Sequence, residues 1–118
     1  MSEDFMANAA VRLRITRQIV LERMAQHRKY GVQRHRDRAS FTAAEFELPE
    51  MLAAAERQIN DDPQRKTWQS ILLEQVWGAM AADELPAMRA ELVKAGAVIV
   101  AWIEDIDTRP TPGDVDGR

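Results

Sequence analysis

The sequence predicts an all-α protein, a bundle of four to five helices. Apolar residues recur at spacings of three and four, with hardly any alternation at two. Gly31, Pro63 and Pro86 fall at the seams between those periodic stretches, where helices start and stop. A chain of 118 residues is also one domain's worth, and a domain of that size buries roughly two-thirds of its unfolded surface without needing staples.

The first helix is expected from about Glu3 to Tyr30. Phe5, Ala9, Leu13, Val20 and Met24 fall near one stripe, with Ile15 and Ile19 beside it. Gly31 stands where a left-handed C-terminal cap belongs. A polar loop, Val32–Ser40, follows. The second helix occupies part of Thr42–Asn60, and Pro49 predicts a break: a short helical piece, then a main helix over Pro49–Ile59. Asp61-Asp62-Pro63 ends it. The third helix starts at Pro63 or Thr67 and runs to about Ala82, with Trp68, Leu72, Val76 and Met80 on one stripe. Acids and a proline in Asp83-Glu84-Leu85-Pro86 open the fourth, which continues to about Asp107. Its main stripe is Leu92, Ala95, Gly96, Ile99, Ile103 and Ile106, broadened by Val93, Ala97, Val100 and Ala101. A helix apolar on more than one face is central in a bundle or lies at an oligomer interface. Residues 1–107 thus form one helical domain, and 108–118, with two Pro and two Gly, read as a disordered tail.

Composition excludes several classes of function. With no cysteine there is no disulfide scaffold, thiolate metal site or cysteine nucleophile. The longest run of apolar residues and glycine, Ala95–Ile103, is far short of the ~20 residues that span a bilayer. Met1-Ser2-Glu3-Asp4 is not the start of a signal peptide, so a cytoplasmic address is expected. Residues 1–38 carry nine Lys/Arg against four Asp/Glu, and residues 39–118 seven against fifteen, giving +5 and −8 for the net −3. The basic third pairs with the acidic remainder or meets a polyphosphate; a nucleic-acid role is not expected, since no recognised motif accompanies the charge.

No Gly-rich phosphate loop, His-Glu-x-x-His motif or Gly-x-Ser-x-Gly elbow occurs. What remains is a lone carboxylate in an apolar surround on each of the last two helices, Glu74 and Glu91. Carboxylates on adjacent antiparallel helices are how bundles build sites for hard cations such as Mg²⁺.

Three segments, in order, carry a resemblance: Lys29-Tyr30-Gly31-Val32-Gln33-Arg34-His35, Trp68 to Val76, and Glu91 to Glu104. Over about residues 15–107 they resemble the short MazG-like branch of the all-α nucleoside triphosphate pyrophosphohydrolases, as found in actinobacteria and their phages. The resemblance implies a homo-oligomer, dimer or tetramer, and a hydrolase that cuts nucleoside triphosphates to monophosphate and pyrophosphate. It implies Mg²⁺ or Mn²⁺ on Glu74 and Glu91 as catalytic carboxylates, with Gln75 as auxiliary ligand. Lys29 and Lys94 would contact phosphate, and Gln33 and His35 would line a base pocket.

The departures bear on activity. The family's Glu-Glu-x-x-Glu reads Glu74-Gln75-Val76-Trp77-Gly78 here, and its Glu-x-x-Asp reads Glu91-Leu92-Val93-Lys94. Gln75 offers only a carbonyl oxygen, Gly78 nothing, and Lys94 brings the opposite charge. At an effective dielectric near 20, each unit charge ~6 Å from a divalent ion changes its energy by several kcal/mol. The expectation is therefore a weak or lost pyrophosphohydrolase with weakly held or absent metal, or a non-catalytic nucleotide-binding or assembly module on the same fold. Plainer alternatives stand beside each residue: Glu74 and Glu91 as surface carboxylates, Lys94 as a structural ion-pair partner, and Gly78 as the mark of a close helix approach. Gln33 and His35 as a solvated loop, and the tryptophans as core or interface residues, complete that set.

Overall fold

The computed structural model describes residues 3–38 and 43–110. They form five helices: α1 (Glu3–Ala7), α2 (Ala9–Tyr30), α3 (Ala43–Asn60), α4 (Trp68–Ala81) and α5 (Leu85–Asp107). No strand occurs among the described residues, and none of the helices is long and apolar enough to cross a membrane.

Two boundaries differ from expectation. The first helix is interrupted at Asn8, whose ψ of 11° leaves the helical range and separates α1 from α2. The second is not split: α3 runs through Pro49 from Ala43. Pro49 is the seventh residue of α3; it cannot donate the bond its nitrogen would make one turn back, and it is buried. Gly31 has the expected positive φ (68°), but its ψ of −158° carries it past the left-handed helical basin into a region that is essentially glycine's alone. Its N–H closes α2 on the His27 carbonyl, 2.7 Å away. Thr67 starts α4 with a reciprocal capping box: its hydroxyl accepts from the Ser70 N–H, and the Ser70 hydroxyl accepts from the Thr67 N–H. Of the expected tail, Thr108 still bonds back to the Glu104 carbonyl, and 111–118 lie outside the described residues.

Contacts group the chain into two compact units, residues 1–35 with 100–118, and residues 36–99. In the first, Arg12 is the organiser. Its guanidinium binds the Glu104 carboxylate at 2.9 and 3.2 Å, donates to the Phe5 carbonyl at 2.8 Å, and lies 3.6 Å over the Phe5 ring. Ile15, beside the apolar stripe, is buried, whereas on the stripe itself Leu13 is 72% and Val20 58% exposed. Large apolar residues ring α2 on several sides, so spacing alone could not select the buried face.

In the second unit α3 packs along α4. Ala53 of α3 and Ala79 of α4 are buried. Beneath their connection Asn60 is the hub: its amide donates to the Ser70 carbonyl (3.1 Å) and to Glu74 Oε1 (2.8 Å), and its carbonyl accepts from the Ser70 hydroxyl (2.6 Å). The N-terminal part of α5 contributes Met88 and Ala95 to the buried set.

Candidate functional site

Within the second unit, α3, α4 and the start of α5 enclose an open cleft of about 430 Å³. Small residues form its walls: Ala53 and Ala54 from α3, Gly78 and Ala81 from α4, Ala87 from α5. Its charged lining is Glu50, Arg57, Asp83 and Glu91. The helical period explains this: Glu50, Ala54 and Arg57 lie at spacings of four and three on one face of α3, and Ala87 and Glu91 one turn apart on α5.

Gly78 shapes the floor. A Cβ there would stand 3.1 Å from Glu91 Oε2 and 3.3 Å from its Cδ, so the absent side chain is the space the Glu91 carboxylate occupies. The other Glu91 oxygen faces the Lys94 ammonium at 3.4 Å, one helical turn on. Glu74, one turn before Gly78 on the same face of α4, turns toward α3, where Oε1 accepts from Asn60 and Oε2 lies 3.8 Å from Arg57 Nε. Arg57 lines the cleft; Glu74 is not among its lining residues. The glutamates therefore lie along one face of α4, each already facing a cation of its own chain.

That arrangement does not fit a divalent ion held by the protein alone. Among the described residues no group of three or more His, Cys, Asp or Glu side chains is placed to hold a metal. Gln75 is half-buried on α4 beside Glu74 and does not line the cleft, and Lys94 is largely exposed.

The other predicted residues belong to the first unit. Lys29 and Gln33 line a polar hollow of about 390 Å³ with Glu22, Gln26 and Tyr30. The Lys29 ammonium is 5.2 Å from the Tyr30 ring centroid, and the Gln33 carbonyl oxygen and His35 Nε2 are 3.1 Å apart.

Sequence reasoning missed Arg57, Glu50 and Asn60. The signal for the first two was present, since charged residues flank the small residues of 50–57 at helical spacing. Pro49, which reads as a breaker, masks it. Asn60 gave no local signal; its partners lie across the turn on α4. No protein-family model, curated protein or solved structure matches the chain.

Proposed function

We propose that the chain is a MazG-like helical-bundle protein in which nucleoside triphosphate pyrophosphohydrolysis is weak or lost, and that its cleft serves binding or assembly instead of turnover. One observation carries the reading: each carboxylate that the resemblance assigns to metal is engaged within the chain. Glu74 is held by Asn60 at 2.8 Å with Arg57 alongside, and Glu91 faces Lys94 at 3.4 Å, with Gly78 where a further acid would stand. Freeing Glu74 for a cation would break its 2.8 Å bond from Asn60, whereas Arg57 and Lys94, 62% and 61% exposed, would lose little.

What the chain's own residues offer a ligand is different. Arg57, more than half exposed, presents a planar guanidinium at the cleft, suited to bidentate contact with phosphate or carboxylate. Lys29, Gln33 and Tyr30 present an ammonium, an amide and a ring in the first unit's hollow.

Pyrophosphate release from a panel of nucleoside triphosphates with Mg²⁺ or Mn²⁺ tests the proposal. The expected rate is at or little above that of a Glu74→Ala, Glu91→Ala double variant. Fast, multiple-turnover release that Glu74→Ala abolishes would overturn it. Calorimetry with a non-hydrolysable triphosphate then separates the two non-catalytic roles: heat that Arg57→Ala removes identifies nucleotide binding, and its absence identifies assembly.

A further inference from the structure

We propose that the face of α2 turned away from Ile15 docks on an anionic phospholipid surface, with the helix lying in the plane of the headgroups. The proposal rests on no reading of the cleft and uses residues of the first unit alone. Of the six Lys/Arg on α2, only Arg12 has an ion pair among the described residues, with Glu104. Among those residues, then, the acidic remainder of the chain neutralises little of the helix's positive charge.

Position decides what that charge can meet. At ~100° per residue, Leu13, Val20 and Met24 fall within about 40° of one another, on the side opposite the buried Ile15. They are 72, 58 and 49% exposed. Arg17 and Arg28 run along one edge of this stripe, with Arg14 beyond them, and Arg23 lies along the other edge. All four arginines are exposed. The helix's single acid, Glu22, sits on the far side, where it lines the polar hollow with Lys29 and Gln33. Val20 and Met24, with Arg23, His27 and Arg28 around them, line a shallow hollow of about 310 Å³. The face thus carries four positive charges, no negative one, and large apolar side chains along its middle.

Both parts of that pattern select the partner. Guanidinium groups without an acidic partner suit a surface rich in phosphate. A nucleic-acid backbone supplies phosphate, but it sets charge against Leu13, Val20 and Met24, which gain nothing there. A bilayer interface meets both needs. The apolar side chains enter the acyl boundary, while the arginine stems lie along the stripe and their heads reach the headgroup phosphates. Such a helix rests on the membrane without crossing it, in keeping with its hydropathy.

Co-sedimentation of the full chain with vesicles tests the proposal. Binding is expected with phosphatidylcholine vesicles containing ~30% phosphatidylglycerol, far less with phosphatidylcholine alone, and less again as NaCl rises from ~50 to ~300 mM. Arg17→Gln with Arg28→Gln should lower the partition coefficient roughly 30-fold, about five-fold for each charge. Leu13→Asn with Met24→Asn should lower it roughly 10-fold with the helical circular dichroism retained, since both side chains are exposed. The chain has no cysteine, so single cysteines report which side enters the lipid. A polarity-sensitive dye on Val20→Cys should shift to the blue on these vesicles, and the same dye on Gln18→Cys, toward the far side of the helix, should not. No binding, equal binding to the two kinds of vesicle, binding indifferent to the Leu13 and Met24 pair, or a blue shift at Gln18 instead of Val20 would overturn the proposal. Tighter binding to duplex DNA at the same salt, lost with the arginine pair and untouched by the apolar pair, would overturn it in favour of nucleic acid.

Discussion

Replacing Gly78 by alanine tests how the cleft floor is built. Two effects oppose. Alanine in a helix interior is worth ~1 kcal/mol over glycine. Against that, the new Cβ would stand 3.1 Å from Glu91 Oε2, tighter than ordinary contact. The obstructing atom is the end of a flexible side chain that is 29% exposed, and it needs to give by only a few tenths of an ångström. Turning such a side chain partly off its rotamer costs ~0.5 kcal/mol. The net is a gain of about 0.5 kcal/mol. With an unfolding entropy of ~2.1 cal/mol/K per residue, this 118-residue chain should melt about 2 °C higher. The assay is calorimetric melting at one fixed protomer concentration, since an assembling chain melts at a concentration-dependent temperature. A Glu91→Ala background should release the whole ~1 kcal/mol, and the difference between backgrounds is the coupling between the two positions. A fall in Tm on Gly78→Ala, recovered in that background, would show that Glu91 is held rigidly and refute the reasoning.

Asn60→Ala should destabilise the chain by about 1–3 kcal/mol in urea titrations, because it strips partners from Ser70 and Glu74 together. Arg12→Ala removes a two-pronged pair with Glu104 and the cover over Phe5, both in a half-buried setting, and should cost ~1–3 kcal/mol. Lys94→Ala, by contrast, breaks only a long, exposed i,i+3 pair and should change stability by less than ~0.5 kcal/mol. Combining Gly78→Glu with Lys94→Asp adds two acids beside Glu91 and removes its cation. Mn²⁺ binding by calorimetry should appear in that double variant and be weaker in either single one.

The helices were legible in the sequence because spacing, caps and breakers agreed over most of the chain. Gly31, Thr67 and the Asp61–Pro63 stop fell where local chemistry placed them. Pro49 misled because α3 continues through it, without the bond its nitrogen cannot donate and with the residue buried. On α2 the period was right and the face was not: a helix with apolar residues on several sides has no unique inward stripe until its neighbours are known. The site was only half legible for a related reason. Glu74, Gly78 and Glu91 could be singled out by residue type, but their pairing with Asn60, Arg57 and Lys94 depends largely on how α3 lies on α4. Buried residues such as Ala53 and Ala79 carry no polar signature that would fix that packing in advance.

The clasp between Arg12 and Glu104 has a consequence for the order in which the molecule is made. It joins partners ninety-two positions apart, whereas residues 36–99 form their unit from one unbroken stretch of chain. A ribosome delivers that stretch whole, and its α3–α4 hairpin relies on neighbours close in sequence, the kind of contact that forms fast. Helix α2 emerges earlier yet has to wait for Glu104 before Arg12 has its anchor. Nascent chains truncated before residue 100 should therefore protect the middle of the protein from protease while leaving its beginning open to cleavage.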